Sequence, residues 1–239
     1  MLNPIITQSE IDNATFEAIY WWNRDEHYYH KYFSQLSSIY NDKELLSFFT
    51  TKIFEVFLRE YAIRRNLSSG YNSVDIFINE LFEYNFVSNV LDGNTNIIDD
   101  VSDLIKANGN STNRQTKSLL SKVAFLINPH NFLLFDSLAK ESLWKLKNDK
   151  RKFKYKEIEN YTGFLKQTIL LHNEIESVGL FKNTDSILSL FKSTFAFDFF
   201  GNNNEAFQMR IIDKALWLLG QDPEGRKYKQ SEYIKLNSL

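Results

Sequence analysis

Residues 121–136, SKVAFLINPHNFLLFD, hold two side chains that can do chemistry. An apolar helical run carries Lys122, stops at Asn128-Pro129, crosses a short apolar link and arrives at Asp136. An aspartate before Ser-Leu-Ala-Lys-Glu is a natural N-cap, with its oxygen accepting N–H bonds from the first helical turn. The same geometry keeps the carboxylate ionised, because N–H groups and the helix dipole favour its charge. Facing a pocket, an ionised carboxylate can stabilise a developing positive charge or orient a water. The oxocarbenium-like sugar of a breaking glycosidic bond is such a charge. Lys122, on an amphipathic helix, faces solvent by default. Spacing alone leaves Asp136 open as helix cap or catalytic carboxylate.

Other residues can be placed beside this pair. Trp21, Trp22, His27, Tyr28, Tyr29 and His30 form the densest aromatic cluster. It reads as core packing, or as a stacking wall for a base or sugar ring supplied by Trp21, Trp22, Tyr28 and Tyr29. His27 and His30 share a helix face but have no distant partner, so no metal site is assigned. His130, in the loop before Asp136, is a turn residue or a substrate contact. Asp213 pairs with Arg210 or Lys214, or braces the site from behind, and Trp217 reads as core. Between residues 140 and 156, eight Lys and Arg side chains face only Glu141 and Asp149, a local excess of six positive charges. That run is a solvated helix end or a patch for a nucleic-acid backbone, with Lys145, Lys150, Arg151 and Lys152 as its DNA contacts.

The elements that must position these groups are helices. Only 8 Gly and 3 Pro occur in 239 residues, and breakers this scarce favour long helices over many tight turns. Ser9 is the expected N-cap of the first helix, and YWWNRDEHYYHKYF continues it or breaks into a second. Asp42 caps a long amphipathic segment in which Leu45, Phe49, Ile53, Val56, Phe57 and Tyr61 recur at three- and four-residue steps. Further helices are expected from Ser73 or Asp75, over IIDDVSDLIK, over TKSLLSKVAFLI, from Ser137 to about Lys147, and from Ile158 to Val178. Asp92-Gly93-Asn94 is a turn, and Gly179 closes the long helix. Helices from Asp185 to Phe195 and from Glu205 to Leu219 complete nine or ten in all. The class is all-α, with little or no strand and no internal repeat.

Composition sets the outer bounds. Hydrophobic residues make up 43% and charged residues 24%, which is globular. The formal net charge of −2 gives no global pull toward polyanions, so such a partner must meet a local patch. The absence of cysteine excludes disulfides, thiolate metal sites and a cysteine nucleophile. The N-terminus lacks a signal-peptide pattern, and no apolar run reaches membrane length. These features predict a cytoplasmic protein without a membrane partner. The 21 Phe and 12 Tyr predict an aromatic-rich core. No phosphate-cradling glycine loop, nucleophile elbow or dinucleotide fingerprint occurs, and no cofactor is expected.

The pattern S-K-x-x-F-x-x-N-P-x-x-F-x-x-x-D resembles the Lys-to-Asp segment of the helix-hairpin-helix DNA glycosylase superfamily. In that family a lysine opens a helix, an apolar connection follows, and an aspartate caps the next helix at the active site. Lys122 and Asp136 take those positions here. A second stretch, RIIDKALWLLG at 210–220, resembles the closing helix of small proteins carrying the same segment. The likeness is strongest over about 117–147 and 205–220. The family's Gly-x-Gly hairpin is absent, with Arg114-Gln115-Thr116-Lys117-Ser118 in its place. Its phosphate contact would then fall to the 109–113 loop, through Asn110, Ser111 and Asn113. The resemblance implies a two-lobed helical glycosylase-like domain over 1–239, with lobes about 1–107 and 108–239. It implies a monomer that flips one nucleotide out of duplex DNA. Asp136 would stabilise the oxocarbenium sugar and direct a nucleophile. In family members with lyase activity the lysine at the Lys122 position forms a Schiff base. One subgroup, in anti-phage defence, removes glucosylated hydroxymethylcytosine, and the aromatic and Asn-rich composition suits so bulky a base. The rival expectations are a non-catalytic helical DNA-binding or regulatory module and a protein-interaction scaffold.

Overall fold

In the computed structural model, residues 6–63, 67, 74–108, 116–148 and 155–221 are described. Among them all regular structure is helical apart from one isolated bridge residue, Leu67. The α-helices are α1 (Gln8–Trp21), α2 (His27–Phe33), α3 (Leu36–Tyr40), α4 (Lys43–Phe48) and α5 (Glu55–Glu60). After them come α6 (Val74–Glu83), α7 (Phe86–Leu91), α8 (Ile97–Ala107), α9 (Thr116–Ile127) and α10 (Ser137–Asn148). The last four are α11 (Tyr161–Ser177), α12 (Thr184–Ser189), α13 (Phe195–Phe200) and α14 (Asn204–Leu219).

Local chemistry explains most of the ends. Thr7, not Ser9, caps α1: its hydroxyl accepts from the Glu10 amide while the Glu10 carboxylate accepts from the Thr7 amide. That reciprocal box satisfies two donors at once, which Ser9 with Asp12 does not. Asp42 caps α4 through the amides of Glu44 and Leu45, as expected. Gly179 ends α11 at φ +72, and Gly93 turns the chain at φ +76. The expected 185–195 helix ends early at Ser189, and a turn holding Ser193 at φ +70 leads to α13, capped by Thr194.

Two π-helical turns account for more elements than periodicity predicted. Trp22–Glu26 joins α1 to α2, with the His27 amide donating five residues back to Trp22 O. Phe49–Phe54 joins α4 to α5 in the same way, from the Glu55 amide to Thr50 O. Each π turn changes the helical phase, so a face counted at 3.6 residues per turn drifts. Leu45, counted on the buried face, precedes the second π turn and is half exposed; beyond the start of that turn Phe54 and Leu58 join Phe49, Ile53 and Phe57 in the core.

One connected core runs through the chain. Phe33, Phe49, Phe54, Phe57 and Phe77 interlock at its N-terminal part, and Phe135, Tyr161 and Phe164 pack together farther along. The helix α1 lies along α14, and α2 packs on α9, so contacts cross the expected lobe boundary near 107. Helices α2, α7 and α8 all pack on α9, and residues 119–127 of α9 are buried on every side. No helix among the described residues is long and apolar enough to cross a membrane.

Candidate active site

The apolar link between α9 and α10 is held by two side-chain oxygens. The Leu133 amide donates to the Tyr161 hydroxyl at 2.9 Å, and the Phe135 amide donates to Ser121 Oγ at 3.0 Å. Phe132 to Phe135 are buried, so each amide needs a partner inside the protein. Tyr161 is itself placed by Asp99. The Asp99 carboxylate accepts from the amides of Tyr161 and Thr162, from the Thr162 hydroxyl, and from Lys117 at 2.9 Å. The linkage delivers Asp136 to the start of α10. There its Oδ1 accepts from the Ala139 amide at 2.8 Å, while its other oxygen accepts from none of the described residues. Asp136 is therefore a helix cap with one oxygen to spare.

Lys122 does not face solvent. It is only 8% exposed, because α9 is covered on all sides. Its ammonium donates to Ser118 Oγ at 3.0 Å, one turn back. Burial lowers its proton affinity; Asp136 and then Asp213 pull it back up, and Arg210 pushes it down.

Behind Lys122 lies a buried cluster of charges. Arg210 on α14 bonds both Glu26, from the first π turn, and Asp213, one turn farther along α14. Its guanidinium stacks 4.6 Å from the Phe125 ring, which is one turn beyond Lys122 on α9. Lys214 Nζ is 3.6 Å from Glu26 Oε1 and lies over the Trp21 ring at 4.5 Å and the Trp217 ring at 5.5 Å. Burial pushes the Asp213 carboxyl up to about 6, against the pull of Arg210 and Lys214. Burial likewise pushes Lys214 down to about 8, and Arg210 adds to the fall. Arg210 divides its charge between two carboxylates, so neither receives all of it. Glu26 Oε2, Arg210 Nε, Trp22 Nε1 and Glu17 Oε1 are buried without a hydrogen-bond partner among the described residues. Such orphaned atoms are costly and mark a polar interior unlike the rest of the core.

The other expected site residues fall in different places. Trp22 is fully buried, stacked 4.3 Å from Phe199 and flanked by Phe200 and Phe125, so its faces are taken and it is a core residue. Tyr29 is buried too, its hydroxyl donating to Glu60 at 2.6 Å, and it offers no stacking wall. Tyr28 is exposed on the surface against Tyr32. Trp21 is half-buried and joins the charge cluster, its indole donating to Glu17 at 2.8 Å, with Arg24 on its face at 3.8 Å. His130 is exposed beside the Phe199 ring, 5.4 Å between centroids. His27 stacks on Phe195, and His30 donates to Leu126 O. No group of three or more His, Asp or Glu among the described residues could hold a metal ion. Lys145 pairs with Glu141 at 2.7 Å on the surface of α10. Asn110, Ser111, Asn113, Lys150, Arg151 and Lys152 lie outside the described residues. Asp213 pairs with Arg210, one of the two partners expected.

Glu26, Ser121 and Tyr161 are the positioning groups that sequence reasoning missed. Little in the sequence signalled the cluster: Arg210, Asp213 and Lys214 fall at i, i+3 and i+4 and so share one polar helix face, which reads as solvent-facing. The chain matches no known protein family model, no curated protein and no solved structure.

Proposed function

We propose that the chain is a DNA N-glycosylase, which takes one nucleotide out of a duplex and breaks the bond between base and sugar. One observation carries the reading. Lys122 is a desolvated amine on a buried helix, under the field of the carboxylate that caps the next helix. A surface lysine and a plain helix cap need neither that burial nor that juxtaposition. As the bond from C1′ to the base nitrogen breaks, its electron pair leaves with the base and C1′ becomes oxocarbenium-like. Asp136, with one oxygen fixed on the Ala139 amide, stabilises that charge electrostatically. Addition of water at C1′ leaves an abasic sugar. Addition of the neutral Lys122 amine, followed by proton loss and ring opening, gives a Schiff base instead. Burial favours the neutral amine that this second route requires.

Base release tests the reading. Wild type and Asp136→Asn are incubated with unmodified, damaged and glucosylated hydroxymethylcytosine duplexes, and abasic sites are detected with and without alkali. Asparagine keeps a cap oxygen for Ala139, so the fold stays while release falls by about 100-fold or more. Undiminished release by the variant removes Asp136 from the mechanism. No release by the wild type from any duplex, with binding retained, makes the chain a non-catalytic DNA-binding module.

A further inference from the structure

Lys140 is the most anomalous cation among the described residues. It sits in the first turns of α10, four residues after Asp136 and so on the same helix face. It is 4% exposed, yet its ammonium makes no hydrogen bond and no ion pair with any described residue. Among the described residues, the Phe135 ring lies 4.6 Å from it and the Tyr155 ring 6.0 Å. Burial lowers its proton affinity, Glu159 raises it, Lys117 lowers it and Asp136 raises it, and neither carboxylate forms an ion pair with it. Lys117, nearby, is spent on Asp99. Lys145 and Lys147 are answered by Glu141 and Glu174. The side chain is largely buried, but its Nζ is not among the fully buried atoms lacking a partner, so a group arriving from outside can reach the unpaired ammonium.

The helix start supplies the rest of the site. Asp136 satisfies the Ala139 amide with its side chain and the Lys140 amide with its carbonyl. The first two amides of α10, Ser137 and Leu138, precede the intrahelical ladder and have no partner among the described residues. Amides and dipole at a helix N-terminus favour an anion.

We propose that Lys140, with the Ser137 and Leu138 amides, forms a phosphate-group site beside Asp136. The ligand is a phosphate monoester or diester: its oxygens accept from the ammonium and the two amides while its charge offsets Lys140. The inference rests on the glycosylase reading only for the source of that phosphate, the backbone next to the flipped nucleotide. Its position would hold the sugar against Asp136.

The test needs no catalysis. Inorganic phosphate is titrated into the ¹⁵N-labelled full chain, wild type and Lys140→Met, and the Ser137 and Leu138 amide resonances are followed. Saturable shifts in the wild type, reduced at least tenfold in apparent affinity by Lys140→Met, establish the site. No shift in the wild type overturns it. Duplex DNA binding is then measured across salt concentrations. Loss of one phosphate contact lowers the logarithmic salt slope by about 0.9 in the variant. An unchanged slope with phosphate binding intact keeps the site and assigns it to a phosphorylated ligand other than DNA. Methionine fills the lysine's space without its charge, so the urea midpoint is expected to hold or rise. A collapsed midpoint is checked with Lys140→Arg: if phosphate shifts do not return in that folded, charged variant, Lys140 is a structural residue and the proposal fails.

Discussion

Protonation of Asp213 gives the sharpest test of the buried charge cluster. Its carboxyl is 3% exposed and is pushed up to about 6 from an ordinary 3.8. Because the folded value lies above the unfolded one, the native state holds more protons than the unfolded state between those values. Stability contributed by Asp213 is therefore present below about pH 4 and falls as pH rises toward 6. The two-unit difference corresponds to about 3 kcal/mol at 1.36 kcal/mol per unit. Asp213→Asn removes the titration while keeping size and shape. Urea unfolding of both proteins, followed by circular dichroism at intervals from pH 4 to pH 7, isolates the group. Wild type should gain on the variant by about 3 kcal/mol as pH falls across that window. Carboxylates that the substitution leaves untouched cancel in the difference. Curves that stay parallel within about 1 kcal/mol would refute the claim that burial outweighs Arg210 at Asp213.

Two further outcomes follow from the groups that place Asp136. Asp99→Asn should cost roughly 2–3 kcal/mol in urea unfolding at pH 7, since four donors lose a charged acceptor. Burial pushes Asp99 up, but the bonds from Thr162, Lys117 and Tyr161 carry it below its usual value. Its contribution is then present above the unfolded pKa and is lost as pH falls through the folded one, so the cost of the mutation should shrink in acid. Ser121→Ala leaves the buried Phe135 amide without an acceptor and should cost about 1–3 kcal/mol. Base release by Ser121→Ala should fall further than its stability does, because the link that ends at Asp136 is loosened. Equal base release with a normal urea midpoint would show that the Ser121 bond positions nothing.

Much of the local structure was legible in the chain. Scarce glycine and proline announced helices, and TKSLLSKVAFLI forms α9 over just those residues. The caps Asp42, Gly179 and Asp136 follow from side-chain oxygens and a left-handed glycine, which act within four residues. Helix starts and stops are decided by such near neighbours, so sequence alone determined them. The π turns were not legible, because a one-residue change of phase leaves no distinct composition.

Which charges lie inside was decided by tertiary structure. Lys122 reads as a surface lysine on its own helix and becomes a desolvated amine because α2, α7 and α8 close over α9. For Trp22 and Tyr29 the sequence leaves core packing and a stacking wall both open, and they are core, because Phe199 and Glu60 reach them from distant parts of the chain. Glu26 meets Arg210 across 184 residues of sequence, through the packing of α1 on α14. Short-range hydrogen bonding writes helix ends into neighbouring residues. Desolvation depends on every surface that arrives later, and that sum exists only in the folded chain.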